Sequence, residues 1–211
     1  VKLVFVTPAA WDEKRLLAVA EEALEGGVDA VQLRRPGAAA RDLFPLALLL
    51  RQLTDRAGAL LIVNDRADIA RAAGAGGVHL PRHSLPVAAA RAVVGAGAKI
   101  GVSCHSVAEA AQAEAEGADY VFVGPVFETP SKPGRALGLA ELARARQKVG
   151  LTLVGIGGVA LENVGSVLAV GADGVAVISA LADAHSPREA ARALADAIHS
   201  WRGEGGPAVE L

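Results

Sequence analysis

Eight times along the chain, a short apolar run rich in β-branched residues is followed by a longer segment whose apolar residues recur at helical spacing. A strand buried on both faces reads as a continuous apolar run, and a period near 3.6 residues marks a helix with one buried stripe. The alternation therefore predicts eight strand–helix units, with strands near 3–6, 30–33, 60–63, 77–80, 99–102, 120–123, 152–155 and 174–178. Helices are expected near 12–25, 39–57, 67–73, 86–94, 106–116, 139–148, 161–170 and 187–201.

Local chemistry supports these boundaries. Ser106 precedes Glu109 at capping-box spacing, and Ser186-Pro187 with Glu189 gives a second helix start. A helix end, a glycine, a small residue and a strand recur at Gly26-Gly27-Val28-Asp29-Ala30, Gly74-Ala75-Gly76-Gly77-Val78, Gly117-Ala118-Asp119-Tyr120-Val121 and Gly171-Ala172-Asp173-Gly174-Val175, marking entry to every second strand. Parallel strands need right-handed crossovers, so the units close most naturally as a single (β/α)8 TIM barrel over residues 1–202, with 203–211 as a C-terminal tail. A doubly wound open sheet is the alternative, but no GxGxxG follows the first strand.

With 211 residues, 52% of them hydrophobic, the chain can bury one large core. The formal net charge of -2 provides no basic field for nucleic acid, and no segment has the length or composition of a membrane span or signal peptide. A lone cysteine, Cys104, excludes an internal disulfide and fits a reducing, cytoplasmic setting; beside an inward residue it is expected to face the core. A small-molecule partner is left by elimination.

In a (β/α)8 barrel the active site lies at the C-terminal strand ends. Just beyond the expected strands stand Arg34, then Asn64-Asp65-Arg66, Arg82-His83-Ser84, Ser103 and His105, Thr129 to Lys132, Gly157-Gly158, and Ser179. Glycines after strands seven and eight suit a phosphate, which Gly157, Gly158 and Ser179 would hold, although tight turns alone also account for them. His105 has the residue type for acid–base work near neutral pH, and a solvated loop histidine is the plainer reading. Lys132 is a candidate phosphate clamp, and Asp65 either meets Mg²⁺ through a phosphate or orients Arg66.

The runs Val31-Gln32-Leu33-Arg34, Val63-Asn64-Asp65-Arg66, Gly77-Val78-His79-Leu80, Gly101-Val102-Ser103-Cys104-His105-Ser106, Gly124-Pro125-Val126-Phe127 and Gly155-Ile156-Gly157-Gly158 resemble the thiamin phosphate synthase/TenI superfamily, nearly end to end. The resemblance implies a barrel that binds a phosphorylated thiazole. Synthases of this superfamily join a pyrimidine pyrophosphate to thiazole phosphate with Mg²⁺. Their Gln-Leu-Arg-Glu-Lys pattern has Pro36 at the lysine here, and their Gly-Gln-Glu-Asp motif has Ser84 at the metal-binding aspartate. TenI-type thiazole tautomerases match better at Leu80-Pro81, Ser106 and Val126-Phe127-Glu128-Thr129.

The leading expectation from this resemblance is therefore a metal-free tautomerase that aromatises carboxythiazole phosphate. His105 would move the proton and Arg34 would meet the ring carboxylate. Asn64, Ser103, Thr129 and Lys132 would line the substrate site. A Mg²⁺-dependent synthase using Asp65 is the runner-up, because His105, Asn64, Asp65, Ser103 and Lys132 have counterparts there. A binder without turnover is a third reading. Homo-oligomerisation stays open.

Overall fold

A computed structural model describes residues 2–129 and 134–203. Eight parallel strands, β1 Leu3–Val6, β2 Ala30–Leu33, β3 Leu60–Asn64, β4 Gly77–Leu80, β5 Lys99–Cys104, β6 Tyr120–Val123, β7 Thr152–Ile156 and β8 Gly174–Val177, pair in sequence order. The pairing of β1 with β8 closes the barrel. Around it run α1 Glu13–Glu25, α2 Ala40–Ala57, α3 Ala67–Ala72, α4 Val87–Val94, α5 Val107–Ala115, α6 Gly138–Lys148, α7 Val164–Ala169, α8 Ser179–Ala182 and α9 Pro187–Gly203.

The strands are apolar throughout because they have two buried faces. Leu3, Phe5, Val31, Leu33, Val63 and Leu153 point outward into the helices, whereas Val4, Val6, Ala30, Ile62, Tyr120, Phe122, Val154 and Ala176 fill the barrel. Each such side chain taken fully from water contributes roughly 1.5–3 kcal/mol, which explains why four-residue strands hold. Cys104 lies in the outer layer as expected, and burial pushes its thiol up to about 12.

The recurring aspartates close the N-terminal end. Asp29 Oδ2 accepts the Lys2 and Leu3 amides of β1 at 2.9 and 2.8 Å, Asp119 Oδ2 accepts Ile100 of β5 at 2.7 Å, and Asp173 Oδ2 accepts Leu153 of β7 at 2.8 Å. Each carboxylate thus ties its strand to the preceding one. Arg91 and Arg146 pair with Asp119 and Asp173 at 2.5 and 2.8 Å. At the fourth such entry Gly76 replaces the aspartate, and a Cβ there would meet Leu60 Cδ2 at 2.8 Å.

Three strands run past their expected ends, to Asn64, Cys104 and Ile156, while β8 stops one residue early. The four-residue α8 was not expected; one turn is too short to leave a periodic signature. Helix α9 continues through Gly203, one residue into the expected tail, whose remainder lies outside the described residues. Among the described residues no helix is long and apolar enough to cross a membrane.

Candidate active site

Parallel register sorts the C-terminal side chains into inward and outward sets. Asn64 is level with His79, His79 with Gly101, and Ser103 with the barrel-filling Phe122. Asn64, His79 and Ser103 therefore face the interior near its upper end. Gln32, level with Val6 and Ile62, does the same from β2; it is 2% exposed and its Nε2 has no hydrogen-bond partner among the described residues.

His79 is the centre of this group. It is buried, its Nε2 lies 2.8 Å from Ser103 Oγ, and its Nδ1 lies 3.3 Å from the Tyr120 hydroxyl. The ring leans against Phe122 with centroids 4.3 Å apart. Burial among these rings pushes its pKa down to about 3, so the imidazole is neutral at ordinary pH. Tyr120 is raised by the same burial, with Asp119 adding to it. Gly101 makes the packing feasible, because a Cβ there would sit 2.0 Å from Tyr120 Cζ.

His105 follows β5 with its side chain 38% exposed. Ser106 caps α5 by accepting the Glu109 amide at 3.2 Å, as the sequence predicts. The Glu109 carboxylate reaches back one residue beyond the cap, accepting the His105 amide at 2.7 Å and lying 3.9 Å from His105 Nδ1. Arg82 of the β4 loop stands 3.8 Å from the same carboxylate. Ser103 and His105, neighbours in the sequence, thus enter different groups: the Ser103 hydroxyl goes to His79.

The β2–β4 side of the mouth is less engaged. Arg34 is half-buried directly after β2, its amide donating to the buried Thr7 Oγ1 at 3.0 Å, and its guanidinium makes no hydrogen bond or ion pair with the described residues. Asp65 is exposed, its φ of 68° is the only positive value at a described non-glycine residue, and its carboxylate makes no hydrogen bond with the described residues, acting on Arg66 only through its charge. The expected orientation of Arg66 by Asp65 is corrected, because Arg66 forms a two-pronged pair with Asp68 at 2.6 and 2.9 Å. Ser84 Oγ is buried without a partner.

On the opposite side, Gly157 and Gly158 follow β7 at φ 97° and 68°. A Cβ on Gly157 would meet Pro125 Cβ at 2.5 Å, and one on Gly158 would meet Phe127 Cβ at 2.7 Å, so close packing on the β6 loop alone requires both glycines. Asn163 Nδ2 donates to the Gly158 carbonyl at 2.9 Å while its Oδ1 accepts the Ala160 amide, which fixes the loop. Among the described residues nothing accepts from the Gly157 or Gly158 amides, so both are available to an anion. Ser179 is exposed as the first residue of α8, and Thr129 is half-buried in the β6–α6 loop. Lys132 lies outside the described residues.

His79, Tyr120, Gln32 and Asn163 escaped the sequence reading as site residues. Apolar periodicity absorbs the first three into strands. A buried histidine in an otherwise aliphatic run was the signal available for His79.

This arrangement is that of a (β/α)8 barrel with a polar, partly unsatisfied C-terminal mouth, the place where barrel enzymes hold their substrates. The family model described as thiamine monophosphate synthase matches residues 3–181, and the chain belongs to that family, within thiamin biosynthesis. A protein of Methanoculleus marisnigri named thiamine-phosphate synthase is 50% identical over 189 residues, 89% of this chain and 90% of that one. One of the same name from Chlorobium luteolum is 47% identical over 192 residues, 90% and 91% of the two chains. The solved thiamine phosphate pyrophosphorylase of Pyrococcus furiosus superposes with a TM-score of 0.86 at 36% identity, covering 95% of this chain and 96% of that one.

Proposed function

We propose that the protein is a thiamine-phosphate synthase, joining a hydroxymethylpyrimidine pyrophosphate to thiazole phosphate. The observation that carries this reading is the 50% identity to a protein of that name across nine-tenths of its length. It reverses the order expected from Pro36 and Ser84, which favoured the tautomerase.

The transfer breaks the bond between the pyrimidine methylene carbon and a pyrophosphate oxygen, the electron pair leaving with pyrophosphate. The thiazole nitrogen supplies the pair for the new carbon–nitrogen bond. The unengaged guanidinium of Arg34 is suited to the departing anion, a task shared with Lys132 by its place in the sequence. Asn64 and Ser103 present polar groups to the pyrimidine side. The free Gly157 and Gly158 amides, with Ser179, hold the thiazole phosphate.

Mg²⁺ fits this donor set at its lower limit. The ion is commonly held by one or two carboxylates together with substrate phosphates and water. Asp65 supplies one carboxylate that makes no hydrogen bond with the described residues, and among these no cluster of three His, Cys, Asp or Glu side chains exists to do more. Asp65 would hold the ion, which when bound neutralises charge on the pyrophosphate oxygens.

A second reading, thiazole tautomerase with His105 as acid–base residue, has two observations in its favour. Pro36 and Ser84 lack the charges of the synthase pattern, and His105 is anchored to Glu109 by its amide. One assay separates the readings: purified protein is given both phosphorylated substrates and Mg²⁺, and product formation is followed. Thiamin phosphate formation lost in Arg34→Ala and Asp65→Asn supports the synthase. Failure to form it, with thiazole tautomer aromatised in a His105-dependent way, establishes the tautomerase.

A further inference from the structure

Ser103 projects into the mouth from β5, yet whether its hydroxyl has a hydrogen to offer a ligand is decided behind it. A neutral imidazole has one N–H and one lone pair. The His79 ring, buried against Phe122, has two partners among the described residues, both hydroxyls: Tyr120 at Nδ1 and Ser103 at Nε2. Two arrangements satisfy this chain. In one, Nδ1–H donates to the Tyr120 oxygen and Ser103 donates to Nε2. In the other, the Tyr120 hydroxyl donates to Nδ1 and Nε2–H donates to Ser103 Oγ.

The surroundings of Tyr120 separate them. Its ring borders a small void whose lining is apolar except for Lys99, an ammonium that has no lone pair to accept a phenol hydrogen, and His79 is the hydroxyl's sole hydrogen-bond partner among the described residues. In the first arrangement the phenol hydrogen is left without an acceptor among the described residues, which is unfavourable for a buried donor. In the second every buried hydrogen has an acceptor, and the remaining one belongs to Ser103, which is half-buried at the mouth.

We propose that His79, with its hydrogen held on Nε2 by the Tyr120 phenol, is a positioning residue that turns the Ser103 hydroxyl hydrogen outward. The Ser103 hydrogen is then available to an acceptor atom of the substrate, where the alternative arrangement would spend it on His79. The hydrogen's location follows from the fold alone, whereas its effect on turnover rests on the synthase reading.

Two measurements test it, and they fail separately. Side-chain ¹⁵N–¹H correlation spectra, with the His79 signals identified by their loss in His79→Gln, should show the wild-type hydrogen on Nε2. Tyr120→Phe, which removes the donor to Nδ1, should move the Nδ1 resonance and weaken the preference for Nε2–H. A hydrogen on Nδ1, an imidazolium at neutral pH, or an Nδ1 resonance indifferent to Tyr120→Phe overturns the proposal, whatever reaction the protein performs. In the second, kcat/KM for thiamin phosphate formation is measured in a double-mutant cycle. His79→Leu should cost about tenfold in the wild-type background and less than about twofold beside Ser103→Ala, because its effect passes through that hydroxyl. An equal loss in both backgrounds overturns the positioning role.

Discussion

The two ends of the barrel treat polar groups in opposite ways. At the N-terminal end Asp29, Asp119 and Asp173 each accept strand amides, and Arg91 and Arg146 are paired with the latter two. At the C-terminal end the half-buried Arg34 guanidinium and the buried Gln32 Nε2 and Ser84 Oγ make no hydrogen bond with the described residues. Buried polar groups in native proteins are ordinarily satisfied. The N-terminal carboxylates tie strand to strand, whereas the C-terminal mouth leaves some polar groups without a partner among the described residues, which is what the proposed substrate site would use.

His79 sits between these ends and gives the largest effect that would break the contrast. Its folded pKa, about 3, lies below the 6.5 of an ordinary histidine. The unfolded chain takes up a proton as pH falls through 6.5 while the folded chain resists until about 3. The unfolded state therefore binds more protons in that window, and stability is lost as pH falls. The loss reaches about 1.4 kcal/mol per pH unit, or about 5 kcal/mol in all. Urea titrations from pH 7 to pH 4 should show this slope in wild type and lack it in His79→Gln; equal slopes would place a charged or exposed histidine there.

Next is Gly101→Ala. Its Cβ would displace the Tyr120 ring, and the overpacking should cost about 3 kcal/mol in denaturant melts and disturb the His79 network. A neutral substitution would mean that Tyr120 has room to move.

Asp119→Ala removes the acceptor of the Ile100 amide and the partner of Arg91, so about 2 kcal/mol of stability should go. Because the lesion is at the N-terminal end, kcat/KM per folded molecule should hold. A large fall in kcat/KM with unchanged stability would erase the division between the ends.

The smallest shift in stability, a loss of about 1 kcal/mol arising at the part-buried Ser84 and not at the exposed Pro36, is expected for Ser84→Asp combined with Pro36→Lys. These changes restore the two charges of the synthase pattern at the mouth, and the Mg²⁺ concentration giving half-maximal synthesis should fall several-fold. A response identical to wild type would show that the chain does without those charges.

Strand positions were legible because a parallel barrel buries both faces of every strand and leaves continuous apolar runs. The reading stopped short at Asn64 and at Ser103-Cys104 for a related reason. A strand that carries polar residues inward at the mouth no longer looks apolar where it matters for function. Gly157 and Gly158 were legible as a pair, yet their packing on Pro125 and Phe127 was not, because it depends on a loop about thirty residues away.

The sequence by itself determined the eight-unit alternation, the barrel, the glycine-led strand entries as a repeated element and the superfamily resemblance, since each is written in local periodicity or in contiguous motifs. The tertiary structure decided which polar groups are engaged: Ser103 with His79, 24 residues away, His79 with Tyr120, 41 residues away, and Arg66 with Asp68 instead of Asp65. Barrel closure sets the strand register, and register alone brings distant side chains to the same level of the interior.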